Sequence, residues 1–442
     1  MADFHGQQIL IVGLGASGAS SLRYLARRGA RLDVTDTRSA PAGIEALRAE
    51  FPQVGFRLGG FAAPQPLTAY AMAVVSPGVS LDEAFVRELA AAGVEIVGDI
   101  ELFARAAHAP VVGITGSNGK STVTTLVGEM AKAAGLQVAV GGNLGTPALD
   151  LLADDVALYV LELSSFQLET TRSLRCAAAT ILNLSQDHLD RHGTMAHYAA
   201  VKARIFDKTA VAIVNRDDPA VMALAPAHAI SFGLDAPEAE QYGLRALPDG
   251  PALARGDAGV LPLAELKIFG LHNAANALAA LALADAVGIA RAASVAALRS
   301  FGGLPHRCEF VARVAGVDYF NDSKGTNVGS TLAALNGLPA PIVWLGGGQG
   351  KGQSFVDLRD ALARKGRAAV LFGEDAAVIE RDVHGALPIW CEADMGGALR
   401  RARSLAEPGD RVLLSPACAS FDQFKSYVDR GEQFRAAVRE LA

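Results

Sequence analysis

The chain has 442 residues, 51% of them hydrophobic and 6% aromatic, with 46 glycines and a formal net charge of −6. That length suits two to four domains, each able to bury a core, and the acidic balance argues against a broad basic face for nucleic acid. The four cysteines (Cys176, Cys308, Cys391 and Cys418) are scattered without a C-x-x-C pair, the pattern of reduced thiols.

In chain order, MADFHGQQILIVG runs into an apolar strand without the basic region of a signal peptide. The most apolar helical stretch begins at Asn276 and is interrupted by Asp285 and Arg291, so a core helix is expected rather than a membrane span. A cytoplasmic protein follows from both. QQILIVGLGASGASSLRYLARRGARLDVTDT reads strand, glycine turn, helix, strand; AYAMAVVSPGV adds a strand, and a first α/β domain is expected over 1–98. Gly13-x-Gly15-x-x-Gly18 has the dinucleotide spacing, with Asp36 placed to hold a ribose hydroxyl. The motif equally admits another diphosphate at the helix N-terminus or a plain tight turn, and by itself leaves the three open.

A second domain, 99–303, opens on APVVGITGSNGKST. Gly113 and Gly119 have five residues between them where a Walker loop has four, so TGSNGKS is a shortened form in which Gly116 replaces the distant glycine. The buried strand before it and the helical spacing after it, with Leu126, Met130 and Ala134 on one face, supply the context a phosphate loop needs. Lys120 then reaches β- and γ-phosphates, and the Ser121 hydroxyl faces Mg²⁺; the bland reading is a structural turn. ALYVLELSS, AATILNLSQ and AVAIVNRD predict a largely parallel sheet. Glu162 lies one residue from the end of the first of these runs, and a buried acid without a cation is costly, which favours a metal role. The next strand exits carrying Asp187, His188, Asp190 and His192; His188 reads equally as ligand and as loop hydrogen bonder. In MAHYAAVKARIF, Tyr198 and Lys202 stand one turn apart, where a lysine is ordinarily a solvated or snorkelling side chain. The segment 232–265 reads as hairpins or loops.

A third α/β domain, 304–442, carries the strands APIVWLGGG, AAVLFGED and RVLLSPA. Arg307 lies just past a linker, Asp322, Lys324 and Thr326 share a turn after a strand, and Lys351 sits in a glycine loop. Ser420 and Tyr427 follow the last strand. Together these groups suit anionic ligands, although surface charge explains any one of them.

Through GLGASG, TGSNGKST, GGNLGTP, ELSSFQLE, NLSQDHLDRHG, GLHNAAN, PHR, NDSKGTN, GGGQGKG and SPACASFDQF together, the whole chain resembles the Mur ligase family of peptidoglycan synthesis. The resemblance implies three α/β domains: a Rossmann-like N-terminal domain for the UDP-substrate, a central P-loop-type mononucleotide-binding ATPase domain, and a Rossmann-like C-terminal domain for the amino acid. It implies ATP-dependent amide-bond formation between UDP-N-acetylmuramoyl-L-alanine and D-glutamate through an acyl phosphate, in a cytoplasmic monomer without nucleic-acid or membrane partners. The D-N-P-R signature of diaminopimelate-adding relatives is absent from the chain, which favours glutamate.

Carried over by residue, Gly116, Ser117, Asn118, Gly119, Lys120, Ser121 and Thr122 would cradle the phosphates of ATP. Asn276, Arg307, Asp322 and Lys324 would bind its base, phosphates and ribose. Ser17, Thr37 and Arg38 would hold the uridine diphosphate, while Asn143, Ser164, Gln167 and His188 would line the muramoyl-alanine channel. Ser121 and Glu162 would bind one Mg²⁺, with His188 and a carbamylated Lys202 at a second. Thr326, Lys351, Ser420 and Tyr427 would form the glutamate pocket, with Tyr427 standing where the family pattern has Phe. A nicotinamide dehydrogenase would leave TGSNGKS and Glu162 unexplained; a nucleotide switch without an acceptor and a sister ligase for another amino acid are the other readings weighed.

Overall fold

The computed structural model describes residues 4–248 and 250–441. Its strands form three sheets. The first contains β1 (Gln8–Val12), β2 (Arg31–Asp36), β3 (Gly55–Leu58), β4 (Met72–Val75) and β5 (Glu95–Val97), in the order β3-β2-β1-β4-β5. All neighbours run parallel. Their apolar runs are the expected signature of strands covered on both faces, and Ile9 to Val12 are fully buried. The glycine turn leaves β1 where the strand order reverses, between β2 and β4. There the helix Ala16–Ala26 packs so closely that a Cβ on Gly18 would stand 2.1 Å from the Gly13 carbonyl oxygen.

The middle sheet has nine strands: β6 (Val111–Thr115), β7 (Val138–Gly142), β8 (Leu158–Glu162), β9 (Ala178–Ile181), β10 (Val211–Asn215), β11 (Ile230–Phe232), β12 (Tyr242–Leu247), β13 (Gly250–Arg255) and β14 (Ala258–Pro262). Their order is β14-β13-β12-β11-β10-β9-β6-β8-β7, parallel except for the β12-β13-β14 hairpins. Those hairpins fall in the segment expected to hold hairpins or loops, and they extend the sheet at one edge. Helices Leu271–Ala286 and Arg291–Ser300 pack on helix Lys120–Ala133. Leu126 and Met130 are buried as expected, but Ala134 lies just past the helix end and is exposed, because Gly135 in the left-handed region stops the helix there.

The third sheet comprises β15 (Glu309–Val314), β16 (Val317–Asn321), β17 (Ile342–Gly347), β18 (Gly366–Phe372), β19 (Ile389–Cys391) and β20 (Arg411–Leu414), ordered β15-β16-β20-β17-β18-β19. Only the β15–β16 pair is antiparallel. Arg430, fully buried in helix Tyr427–Arg439, donates to the carbonyls of Ser323 (2.8 Å) and Cys418 (3.1 Å) and to Ser323 Oγ (3.0 Å). It therefore ties the turn after β16 to the segment after β20. One apolar cluster runs from the first sheet into the second through Ile100, Phe103, Leu149 and Tyr159. Among the described residues, no helix is long and apolar enough to cross a membrane.

Candidate active site

The loop after β6 is built to face an anion. Gly119 caps helix Lys120–Ala133 at φ 82°, a left-handed conformation that suits glycine, and a Cβ there would meet Asn276 Oδ1 at 2.5 Å. The N–H groups of the first helical turn have no carbonyl partner inside the helix, so they remain available to phosphate oxygens. Asn183 fixes the loop from the next strand: its Oδ1 accepts from Asn118 N (2.8 Å), its carbonyl accepts from Ser117 N (3.0 Å), and its Nδ2 donates to Asn118 O (3.0 Å). Lys120 Nζ donates to the carbonyls of Gly116 (2.9 Å) and Ser117 (2.8 Å), which holds its charge at the mouth of the loop.

Beside the loop, Glu162 ends β8 and is 3% exposed. Its carboxylate accepts from Ser121 Oγ (2.5 Å) and from Asn143 Nδ2 (2.6 Å), both neutral donors. Arg307 reaches across from the third sheet's side and donates to the same Ser121 oxygen at 2.7 Å, 186 residues away in sequence. A buried carboxylate with neutral partners, next to a hydroxyl at a phosphate loop, is a donor set of hard oxygens suited to Mg²⁺.

Lys202 departs furthest from its bland reading. It is 1% exposed, and its Nζ donates to Thr115 Oγ1 (3.1 Å) and Gly116 O (3.0 Å) while lying 4.7 Å from the centroid of the Tyr198 ring. Burial pushes its pKa well below the ordinary lysine value, and neighbouring Lys120 adds to the shift. Tyr198 in turn shares a hydrogen bond with Ser117 Oγ at 3.1 Å. Burial likewise lowers Lys120, against the pull of Glu162 and Asp187. His188 takes φ 53° before the short helix Leu189–His192, and its ring packs on Phe166 at 4.9 Å.

These groups open into one cavity of about 610 Å³ whose walls come from the second and third sheets. From the loop it takes Ser117 through Thr122, and from the neighbouring strands Asn143, Glu162, Ser164, His188 and Lys202. Asn276 lines it with Phe232 and Leu234, an apolar recess able to take a planar base. The third sheet contributes Arg307, Asp322, Lys324, Thr326, Lys351, Ser420 and Tyr427. Lys324 lies 4.4 Å over the Tyr427 ring, and burial, then Arg307 and Lys120, lower its pKa to about 8. Asp322 is pushed up to about 7 by burial, opposed by hydrogen bonds from Ser415 Oγ (2.7 Å) and Cys308 N (3.1 Å). Lys120, Lys202, Arg307, Lys324 and Lys351 line the cavity beside Glu162, Asp187, Asp217 and Asp322, so cations and carboxylates are nearly matched there.

Gly116, Ser17, Thr37, Arg38 and Gln167 lie outside that cavity's lining. Gly116 forms the back of the loop, at the carbonyl shared by Lys120 and Lys202. Gln167 is 2% exposed and closes a capping box with Ser164 at the start of helix Ser165–Glu169; its Nε2 donates to Asp99 at 3.2 Å. Thr37 and Arg38 are exposed beyond β2. Asp36 does not offer a free oxygen to a ribose. Its carboxylate accepts from Leu14 N (2.7 Å), Arg38 N (2.8 Å) and the Arg38 guanidinium (2.7 and 2.9 Å), which locks the glycine turn instead. Sequence reasoning passed over Asn183 and Asn327, whose amide donates weakly to Asn118 and Asp187, each at 3.4 Å. For Asn183 the available signal was an asparagine just past an apolar strand; Asn327 lies six residues beyond β16 and carries no such signal.

Three family profiles match successive parts of the chain: "Mur ligase MurD-like, N-terminal domain" over residues 7–98, "Mur ligase middle domain" over 114–284 and "Mur ligase, glutamate ligase domain" over 306–418. The chain is 52% identical to a UDP-N-acetylmuramoylalanine–D-glutamate ligase of Pseudomonas aeruginosa, covering 98% of both chains. It is 50% identical to the enzyme of that name from Methylobacillus flagellatus, covering 100% of this chain and 98% of the relative. This chain belongs to the Mur ligase family. The fold extends to more distant solved structures. A pseudomurein peptide ligase type C from Methanothermus fervidus superposes with a TM-score of 0.62 at 17% identity, covering 99% of this chain and 100% of that one. A UDP-N-acetylmuramate–alanine ligase from Thermotoga maritima gives 0.60 at 18% identity, covering 98% and 100%. The expected three-domain α/β architecture is thus that of the Mur ligases. TGSNGKS, read as a shortened phosphate loop, lies within the middle-domain match.

Proposed function

We propose that this Mur ligase joins D-glutamate to UDP-N-acetylmuramoyl-L-alanine, with ATP converted to ADP and phosphate. A carboxylate is a poor electrophile, so it must first be activated. An alanine carboxylate oxygen attacks the γ-phosphorus and ADP departs; the glutamate amine then attacks the acyl carbon, loses a proton, and phosphate leaves with the broken C–O bond. Most of the catalytic work is positioning and charge stabilisation.

The loop N–H groups and Lys120 hold the β- and γ-phosphates, and Lys120 trades its two carbonyl partners for phosphate oxygens as charge develops. Arg307 and Lys324 approach the same phosphates from the third domain, Asp322 takes the ribose, and Asn276 takes the base. Ser121 and Glu162 supply hard oxygens that fit Mg²⁺, which when bound neutralises phosphate charge. His188, a nitrogen donor, fits a second Mg²⁺ less well alone. A carbamate on Lys202 adds the missing oxygens: carbon dioxide adds to a neutral amine, and burial of Lys202 favours that form. Thr326, Lys351, Ser420 and Tyr427 bind D-glutamate, its carboxylates facing Lys351. Asn143, Ser164 and His188 line the path of the alanine end. Ser17, Thr37 and Arg38 hold the uridine diphosphate at the glycine turn, and Gln167 acts on this path through the cap it forms with Ser164.

In this reading the units divide at 98/99 and 303/304, and one chain in the cytoplasm, acting as a monomer, supplies every catalytic group. The observation that carries it is the meeting of Lys120, Ser121, Glu162 and Arg307 at one loop, within a chain about half identical to D-glutamate ligases. Phosphate release with UDP-N-acetylmuramoyl-L-alanine and ATP tests it. D-glutamate should support turnover, and L-glutamate and diaminopimelate should not; turnover with diaminopimelate alone would overturn the assignment.

A further inference from the structure

On the flank of the candidate active site, three short elements turn metal-capable side chains toward one point. Glu169 closes helix Ser165–Glu169, His192 ends helix Leu189–His192, and His197 lies in the first turn of helix Met195–Ala203. One ligand atom from each lies within 4.8 Å of the others. We propose that Glu169, His192 and His197 form a binding site for a Zn²⁺-class divalent cation, separate from the Mg²⁺ ligands at the phosphate loop.

The buried histidine is the second, independent observation. The His192 side chain is fully buried, yet its Nδ1 has no hydrogen-bond partner. Its nearest oxygen, Glu169 Oε1, is 3.5 Å away, longer than a good hydrogen bond. Ligand atoms bound at about 2.0–2.1 Å in a tetrahedron stand roughly 3.3–3.4 Å apart, so this separation is close to the edge of a zinc site. The other ring nitrogen, Nε2, meets Ser165 Oγ at 2.9 Å. When Nε2 carries the proton and donates to that hydroxyl, the Nδ1 lone pair points at the gap, the arrangement that orients metal-bound imidazoles.

Glu169 is held for the role as well. Arg191 binds its Oε2 at 2.7 Å and leaves Oε1 toward His192. Two imidazoles and a carboxylate suit Zn²⁺, Ni²⁺ or Cu²⁺ better than Mg²⁺. Exposed His197 closes the site from solvent, and a fourth position is left for water. Bound metal would fasten together the helices that carry Ser164, His188 and Lys202.

The test uses metal-stripped full-length protein in millimolar Mg²⁺, titrated with Zn²⁺ against a chromogenic chelator and with Co²⁺ by visible absorption. Wild type should bind one equivalent of Zn²⁺, give the intense bands of low-coordinate Co²⁺, and melt at a higher temperature with Zn²⁺. His197→Ala, a change in an exposed helical turn, should weaken Zn²⁺ by about tenfold or more and lose the Co²⁺ bands, with ligase activity retained. Glu169→Gln should behave like His197→Ala in the titration, and Glu162→Gln should keep the Zn²⁺ equivalent. Zn²⁺ binding unchanged by His197→Ala, or lost only in Glu162→Gln, would overturn the site, as would absence of binding by wild type.

Discussion

Replacing Lys202 with methionine separates a functional lysine from a structural one. Methionine is unbranched and similar in length, so packing against Tyr198 is retained while the amine disappears. In the native protein the amine is 1% exposed, bonded to two neutral acceptors at 3.0 and 3.1 Å, and 4.7 Å from an aromatic centroid. Burial favours the neutral amine, so its two hydrogen bonds contribute about 0.5–1.5 kcal/mol each. Against these stands the desolvation of the amine, about 1–3 kcal/mol. The terms nearly cancel, so Lys202→Met should change stability by no more than about 2 kcal/mol. For a domain of this size that is within roughly 4–8 °C of the native melting temperature.

The sign with pH follows from the lowered pKa. A lysine that protonates more readily unfolded than folded destabilises the fold at low pH, and stability recovers as pH rises through the folded pKa toward the ordinary value. Lys202→Met should flatten that limb of the stability profile. Activity should respond quite differently. Removing one preorganised electrostatic group costs about 10²–10³ in kcat, and Lys202→Arg, which keeps a charge but forms no carbamate, should be as poor as methionine. Phosphate release at saturating substrates, beside thermal unfolding, reads both quantities. A Met variant with native kcat, or one whose activity falls only in step with a melting loss well beyond 10 °C, would refute the catalytic reading.

Lys120→Ala should lower kcat by at least about 10²-fold while circular dichroism and melting stay near native, because its two acceptors are loop carbonyls rather than core groups; native kcat would remove it from the phosphate loop. Lys351→Ala should raise the KM for D-glutamate about tenfold or more and leave that for UDP-N-acetylmuramoyl-L-alanine nearly unchanged, and equal effects on both would move the glutamate pocket elsewhere. Arg38→Ala should cost about 1–2 kcal/mol at pH 7, discounted for the exposure of the arginine. Hydrogen bonding to Arg38 lowers Asp36 from 3.8 to about 2, so this contribution is complete above the unfolded value and fades as pH falls through the folded one. Urea titrations of both proteins between neutral and acid pH should therefore converge, and a constant gap would deny the pair that role.

What could be read from the chain alone was whatever is local. Apolar runs gave the sheets, and the strand–TGSNGK–helix context gave the phosphate loop. Partners distant in sequence were invisible. Lys202 lies on a short, Ala-rich helix with little sidedness, so nothing local distinguished a buried amine from a solvated one. Asp36 looked like a ribose ligand because spacing reports a strand end but not the arginine two residues later that saturates its oxygens. The Gln167 side chain is held by Ser164 and Asp99, and the 68 residues between Asp99 and Gln167 hide the second contact from the sequence.

The same blindness to distance hid the link between domains. Ser121 Oγ donates to Glu162 and accepts from Arg307, so a hydroxyl proposed to face Mg²⁺ is already shared with a guanidinium from the third domain. A hydroxyl oxygen has two lone pairs, so with one facing Arg307 the other remains for a metal. With Mg²⁺ and ATP bound as proposed, Arg307 would stand one hydroxyl away from the phosphate oxygens, acceptors better matched to its charge. Asn327 adds a weaker tie between the same two domains, donating at 3.4 Å to Asn118 in the loop and at 3.4 Å to Asp187 outside it. Under the proposed nucleotide site, ATP loading and the position of the third domain would be coupled through Arg307, which stands two residues before β15, at the end of the segment that joins the two sheets.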